Sequence, residues 1–307
     1  MKKIIFFRNF KTSSKVMGHH VKVHDYFMHC LHHPELEPDL YFTPESDYEN
    51  SALWKEVPRE RIIQEIQLER DQVVFISGKD WELLPQNLDG QKVIHIVQHV
   101  KVANPDNVLF KFLSRPAFRI CVSPEVQAAI APYANGETVV INNGVSLETF
   151  RPGLSKKSNS ILIWARKNPR LGHRLHKALR QKGIAAKVLI EFLPRHEFAR
   201  QLGDSDIFVA LPNRTEGFYL PALEGMASGC AVICSDNIGN RGFCRRDETC
   251  LMPDYDDEQQ HLDMIESLLA NPDIKESIRR SGMEVTKSYS LDRERALFYR
   301  FLEKYIL

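Results

Sequence analysis

The feature that most constrains the fold is a series of short, almost purely apolar runs set between longer mixed stretches. Residues 4–7, 40–42, 73–76, 93–97, 118–122 and 139–141 form one set, and residues 161–164, 187–190, 207–210 and 231–234 form a second. They are rich in β-branched and aromatic side chains, which suit strands. A strand with one wet face alternates apolar and polar residues; a run with little alternation must bury both faces. That requires parallel sheets covered on each side by helical connections, so the expected class is α/β.

The series is interrupted once. Asn142-Asn143-Gly144 is a turn signal, and Pro152, Gly153 and Lys156-Lys157-Ser158-Asn159 read as a solvated linker before the strands restart at Ile161. The chain therefore divides into two doubly wound domains, residues 1–150 and 151–288. The tail is helical. Leu262, Ile265, Leu268 and Leu269 share a face before Asn271-Pro272 stops that helix. Ser290 is placed to cap a last helix whose stripe of Leu297, Phe298, Phe301, Leu302 and Tyr305 needs a partner surface.

Charge and cysteine usage exclude several classes. With 41 basic and 40 acidic residues the net charge is +1, which gives no global footprint for nucleic acid. No run reaches about 18 apolar residues, and the run at 4–7 is too short for a signal-peptide core. The expected setting is cytoplasmic, with peripheral membrane association left open. Six cysteines form no CxxC pair and no zinc spacing, so they read as reduced thiols; Cys121 and Cys234 fall in strand runs and are expected to be buried.

The densest chemical signal is Glu216-Gly217-Phe218-Tyr219-Leu220-Pro221-Ala222-Leu223-Glu224. It follows the run at 207–210 and a polar loop, and Pro221 suits the first turn of a helix that Gly229 ends before the run at 231. Ligands of doubly wound sheets bind beyond the carboxyl ends of strands, where this loop belongs. A helix start offers N–H groups and a positive dipole end to a diphosphate. Glu216 and Glu224 can accept hydrogen bonds from sugar and ribose hydroxyls. Taken singly, Glu224 could serve only to complement the helix dipole, and Glu216 could be a solvated loop residue.

This segment, EGFYLPALEGMA, resembles the E-x7-E motif of family 4 retaining glycosyltransferases (glycosyl transferases group 1), usually written EGFGLPxLEAMA. The likeness continues through Ser228 to Asp236. Residues 140–152 resemble the family's IPNGVDxxxFxP stretch, residues 119–126 its RIxxVSxxV, and residues 251–291 its C-terminal pattern. Coverage runs from about residue 93 to the end. The resemblance implies a GT-B fold: two facing Rossmann-like doubly wound domains, the first on the acceptor side and the second binding the nucleotide sugar. It further implies that residues 289–307 form a helix crossing back to the N-terminal domain.

Site residues follow from the same resemblance. Glu216 is expected to contact the transferred sugar and Glu224 the ribose, with Gly217, Phe218, Tyr219 and Leu220 lining the donor. Arg166, at the carboxyl end of the run 161–164, is placed to grip the diphosphate. The family has a lysine just before a glycine a few positions later; here Leu171 precedes Gly172, and Arg170 is taken as the second cation, with Lys167 upstream. His99 ends the run 93–97 where the family has a histidine beside the sugar. Gly18 and His19, with His20, are acceptor-side candidates; the family's paired glycines are absent there. His29, His32 and His33 are expected at the surface of a helix.

The expected activity is that of a metal-independent, retaining, hexosyltransferase-type enzyme that moves a sugar from a nucleoside-diphosphate sugar to a saccharide, lipid-linked or small-molecule hydroxyl acceptor. No metal pair is evident and no cofactor is expected beyond the nucleotide-sugar substrate. No GxGxxG follows an early strand, and neither GxSxG nor a Walker sequence is present. A catalytically inactive sugar-nucleotide-binding subunit, and a sugar-phosphate synthase or phosphorylase, remain as rivals.

Overall fold

A computed structural model of the chain describes residues 1–11, 16–154 and 158–307. Two residues assigned to the solvated linker, Lys156 and Lys157, lie outside the described residues. By contacts the chain divides into two compact units, Met1–Asn142 with Glu294–Leu307, and Asn143–Arg293.

The first unit holds a seven-stranded sheet formed by β1 (Lys2–Arg8), β2 (Leu36–Phe42), β3 (Ile62–Ile63), β4 (Val73–Ser77), β5 (Lys92–Val97), β6 (Phe118–Cys121) and β7 (Thr138–Val140). The strands run parallel in the order β3-β2-β1-β4-β5-β6-β7. All six expected runs are strands; the two-residue β3 is an addition too short for any pattern to reveal. The connections differ from expectation. Among the described residues of these connections, only α1 (Gly18–Leu31), after β1, and α2 (Pro124–Ile130), after β6, are α-helices, and the rest are 3-10 turns and loops.

One face of this sheet packs Ile5, Phe7, Val74 and Ile76 against Trp81 and Phe112. On the other, Phe6 stacks on Phe75 with ring centroids 4.5 Å apart and meets Phe27 of α1 edge-on at 5.3 Å. The final helix of the chain, α8 (Leu291–Tyr305), joins that layer. Phe298 meets Tyr26 at 4.8 Å and Tyr305 meets Phe118 at 5.4 Å, so the apolar stripe has its partner. Ser290 Oγ accepts from Arg293 N at 3.2 Å and caps the helix as its sequence suggests. Each large apolar side chain buried here is worth about 1.5–3 kcal/mol.

The docking of α8 overturns one expectation. His29 and His33 are buried, whereas His32 is exposed. His29 Nε2 lies 3.0 Å from Glu294 Oε1, and the His33 ring meets Tyr299 edge-on at 4.6 Å. Their burial comes from residues more than 260 positions away, which no local pattern reports.

The second unit holds four parallel strands, β8 (Ile161–Trp164), β9 (Ala186–Leu189), β10 (Ile207–Ala210) and β11 (Ala231–Cys234), in the order β11-β10-β8-β9. Successive residues feed two cores. Ile163, Val209 and Ile233 meet α3 (Pro169–Gln181) and α6 (Glu258–Ala270), while Leu162, Phe208 and Val232 meet α4 (Arg195–Gly203) and α5 (Leu220–Ala227). This two-sided burial is why the runs do not alternate. Helix α7 (Pro272–Thr286) adds Ile278 to the first of these cores. Both Cys121 and Cys234 are buried, and all six cysteines are free thiols. No helix among the described residues is long and apolar enough to cross a membrane.

Candidate functional site

In the second unit the chain enters the sheet at β8, moves outward to β9, then returns to β10 on the opposite side of β8. The topological switch therefore lies between β8 and β10, and the two following loops diverge there, leaving a crevice at the carboxyl ends. The strands stay paired to their last residues, Ala210 with Trp164, and Leu211 N donates to Trp164 O at 3.0 Å. Residues 165–168 and 211–219 thus leave the sheet side by side.

The first loop is short and rigid. Asn168 Oδ1 accepts from Leu171 N at 3.2 Å and caps α3. Gly172 is packed so tightly that a Cβ there would fall 2.2 Å from Ala165 Cβ. A glycine at this position lets α3 press against the turn and fixes the direction in which Arg166 and Lys167 leave it. Arg166 stacks its guanidinium on the Phe192 ring at 3.6 Å. Burial shifts its pKa downward, opposed by the nearby Glu216 and Tyr219.

The second loop is held from behind. Tyr219 N donates to Gly239 O at 3.0 Å and Ile238 N donates to Arg214 O at 3.1 Å. A Cβ on Gly239 would come within 2.6 Å of Phe218 N, so only glycine admits this approach. Asn237 and Asn240 cap the 3-10 turn Ile238–Asn240 reciprocally, and Asn240 Nδ2 also donates to Ser235 O at 3.0 Å. Sequence reasoning missed these three residues; the only signal was an Asn-x-Gly-Asn string with no obvious role.

Between the loops, Lys167 Nζ lies 3.4 Å from Glu216 Oε1, with 34% and 16% of the side chains exposed. The lysine that meets Glu216 is therefore Lys167. Arg170 is exposed on the first turn of α3, while the turn packed against Gly172 brings Lys167 to Glu216. Behind them Tyr219 is buried, its hydroxyl without a hydrogen-bond partner among the described residues, and burial raises its pKa well above the usual phenol value. Gly217 and Leu220 are buried and Phe218 is half-buried, packed on Phe243 at 5.3 Å.

Glu224 departs from the sequence reading. It does not stand at an exposed helix start but is 4% exposed, one turn into α5, with Arg195 Nη1 2.9 Å from its Oε1. Arg195 in turn covers the Phe150 ring at 4.7 Å and keeps 32% of its side chain exposed. The pairing gives this buried carboxylate a cationic partner. The start of α5 carries fewer N–H groups than a free helix end, since Pro221 has none and that of Tyr219 is taken by Gly239.

The first unit places its candidates around its own switch point, between β1 and β4. Arg8, at the end of β1, donates from Nη1 to Asp80 Oδ2 at 2.7 Å, and its Nη2 lies 3.1 Å from His20 Nδ1. All three are buried. Burial, with His19 and Arg8 nearby, pushes His20 down to about 2, so its ring is neutral. Gly18 opens α1 and is exposed, while His19 is half-buried with its ring 4.0 Å from that of His20. His99 follows β5, and its Nδ1 accepts from Lys101 N at 3.1 Å. Among the described residues, no group of three or more His, Cys, Asp or Glu side chains is arranged to hold a metal ion.

Residues 142–271 match the family model described as glycosyl transferases group 1. No curated protein matches the sequence. Among solved structures the chain is similar to a sucrose-phosphate synthase from Thermosynechococcus elongatus, at 13% identity and a TM-score of 0.73, covering 99% of each chain. It is similar to HepE of Anabaena in complex with UDP-glucose, at 12% identity and a TM-score of 0.74, covering 99% of this chain and 100% of that one. A glycosyltransferase from Rickettsia africae matches at 13% identity and a TM-score of 0.70, covering 99% and 98%. Residues 142–271 thus resemble group 1 glycosyltransferases, and the chain shares the GT-B fold of these structures.

Proposed function

We propose that this chain is a retaining glycosyltransferase that moves a hexose from a nucleoside-diphosphate sugar to a hydroxyl acceptor without a metal ion. The observation that carries the reading is the grouping, at the β8/β10 switch point, of a carboxylate with two consecutive cations: Glu216, Lys167 and Arg166. A nucleotide-sugar site needs positive charge for the diphosphate and an acceptor for sugar hydroxyls within one ligand length. Here both lie at the mouth of a parallel sheet, where α5 also begins. The complex of HepE with UDP-glucose supports choosing UDP-hexoses as the first donors to try.

In the reaction the acceptor oxygen bonds to the anomeric carbon as the bond from that carbon to the phosphate oxygen breaks. The acceptor proton passes to the leaving phosphate oxygen on the same face. Arg166 and Lys167 stabilise the charge gathering on the diphosphate. Glu216 orients the sugar hydroxyls and favours the positive charge growing at the anomeric carbon. Glu224, fixed by Arg195, takes the ribose hydroxyls, and the buried Tyr219 supports the loop from beneath. Assignment of His99 to the sugar and of Gly18 and His19 to the acceptor rests on the resemblance alone. The protein supplies mainly orientation and charge complementarity, which are large terms in rate enhancement.

The test is turnover of UDP-glucose and related donors in EDTA, with NMR assignment of the product anomer. An α-configured donor yielding an α-product in chelator is the expected result. Inverted product, or activity abolished by EDTA and restored by manganese, overturns the mechanism. A nucleotide that raises the melting temperature yet is never consumed selects the binding-subunit reading instead.

A further inference from the structure

The first unit contains a cleft that none of the expected site residues lines. It has a volume of about 460 Å³ and lies in the long connection from β2 to β3, with Tyr48, Trp54 and Ile62 among its apolar walls and Glu49, Arg59 and Gln64 among its polar ones. Tyr48 is held in place from two sides. Its ring stacks on Phe42 at 4.1 Å with an interplanar angle of 8°, and its hydroxyl accepts from Gln64 Nε2 at 3.4 Å. The segment before it is pinned to the loop after β1: Phe10 N donates to Ser46 Oγ at 3.0 Å and Asp47 N donates to Phe10 O at 2.7 Å.

Trp54 supplies the second observation. It lines the cleft while only 1% exposed, and its buried indole N–H has no hydrogen-bond partner among the described residues. A buried donor without an acceptor costs about 1–3 kcal/mol. The same ring meets Phe10 edge-on at 5.9 Å, and Phe10 meets His20 edge-on at 4.8 Å. One aromatic layer therefore separates the cleft from the start of α1, where Gly18 and His19 lie.

We propose that this cleft is a remote subsite for a saccharide acceptor, a deepening that rests on the glycosyltransferase reading. A pyranose ring combines an apolar C–H face with a rim of hydroxyls, and the lining repeats that division. The Tyr48 ring, Trp54 and Ile62 offer apolar surface, Glu49 accepts hydrogen bonds, Lys55 and Arg59 donate them, and Gln64 does both. A lipid tail would leave those polar groups unmatched, and a phosphate, although Lys55 and Arg59 could meet it, would face Glu49 and leave the aromatic wall unused. Binding at a distance from the reacting hydroxyl gives an enzyme grip on a longer acceptor that it can use for orientation.

The experiment follows the three indole N–H signals of the full chain, those of Trp54, Trp81 and Trp164 assigned through single Trp→Phe variants. The protein is titrated with tetrasaccharides of glucose, of mannose and of N-acetylglucosamine, and separately with UDP. The proposal expects at least one tetrasaccharide to move the Trp54 signal in a saturable way. Because Glu49 and Gln64 are exposed, the double variant Glu49→Ala/Gln64→Ala should fold normally and weaken that binding by about tenfold, the equivalent of two modest hydrogen bonds. UDP affinity should be unchanged by it. A Trp54 signal unmoved by all three sugars, or binding indifferent to the double variant, overturns the subsite. Neither readout needs turnover, so failure of the transferase reading appears separately, as absent UDP binding or absent product.

Discussion

Glu294 in the first unit and Glu216 in the second each lie beside a lysine. In the first unit Lys22 Nζ approaches Glu294 Oε2 at 2.6 Å, and neither side chain has exposed surface. Asp25 and His29 complete that knot, at 2.7 Å from Lys22 and 3.0 Å from Glu294. In the second unit the Lys167–Glu216 separation is 3.4 Å and both partners reach solvent. A sealed pair satisfies its own charges and holds two elements, here α1 and α8, in one register. An open pair at the end of a sheet has charge left over for a ligand. Charge pattern in the sequence does not distinguish them; burial does.

The largest effect expected from this contrast is on the sealed pair. Glu294→Ala should destabilise the protein by about 3–5 kcal/mol, because Lys22 loses its closest partner at a position without water. Denaturant unfolding checks this, and a loss below about 1 kcal/mol, the range of surface pairs, would place Glu294 with them. Next in size is Glu224, which combines features of both: buried like Glu294 yet bridged outward by the half-exposed Arg195. Glu224→Ala should weaken nucleoside-diphosphate binding by about 1.5–3 kcal/mol. Calorimetric titration with unchanged affinity removes it from the ribose.

A smaller effect comes from buried histidines of the first unit. Burial, joined for His20 by His19 and Arg8 and for His95 by Arg119, lowers these rings from 6.5 to about 2 and about 3. In the unfolded chain they titrate near their ordinary value, so their contribution is fully present above pH 6.5 and is lost as pH falls toward 3. Each should contribute a slope of up to about 1.4 kcal/mol per pH unit in that window. Melting temperatures from pH 7 to 4.5 should fall less steeply in His95→Gln than in the parent. Parallel curves would show that His95 takes up a proton in the folded state.

Sequence alone located every strand that is buried on both faces, because such strands cannot alternate, and the Glu216–Glu224 segment betrayed itself by its turn and helix-start residues. Other features depend on contacts distant in the chain. His29 and His33 are covered by α8, Lys167 rather than Arg170 reaches Glu216 because α3 presses on Ala165, and Arg195 meets Glu224 across two helices. The two-residue β3 and the 3-10 connections of the first unit leave no periodicity to read. Tyr48 and Trp54 carry no local pattern that marks the cleft they line, which only the folded β2–β3 connection brings together.

The most direct measurement compares Glu216→Gln with Glu294→Ala in two readouts, thermal stability and steady-state turnover of a UDP-hexose. Glutamine at 216 keeps shape and one acceptor while removing charge. The expected result is a melting temperature near the parent's, unchanged affinity for the free nucleotide, and a kcat lower by about 10²-fold or more. Glu294→Ala should show the reverse, a large loss of stability with kcat retained in the fraction that stays folded. A Glu216→Gln enzyme that turns over at the parent's rate, or that unfolds as readily as Glu294→Ala, would contradict the assignment of the open pair to catalysis.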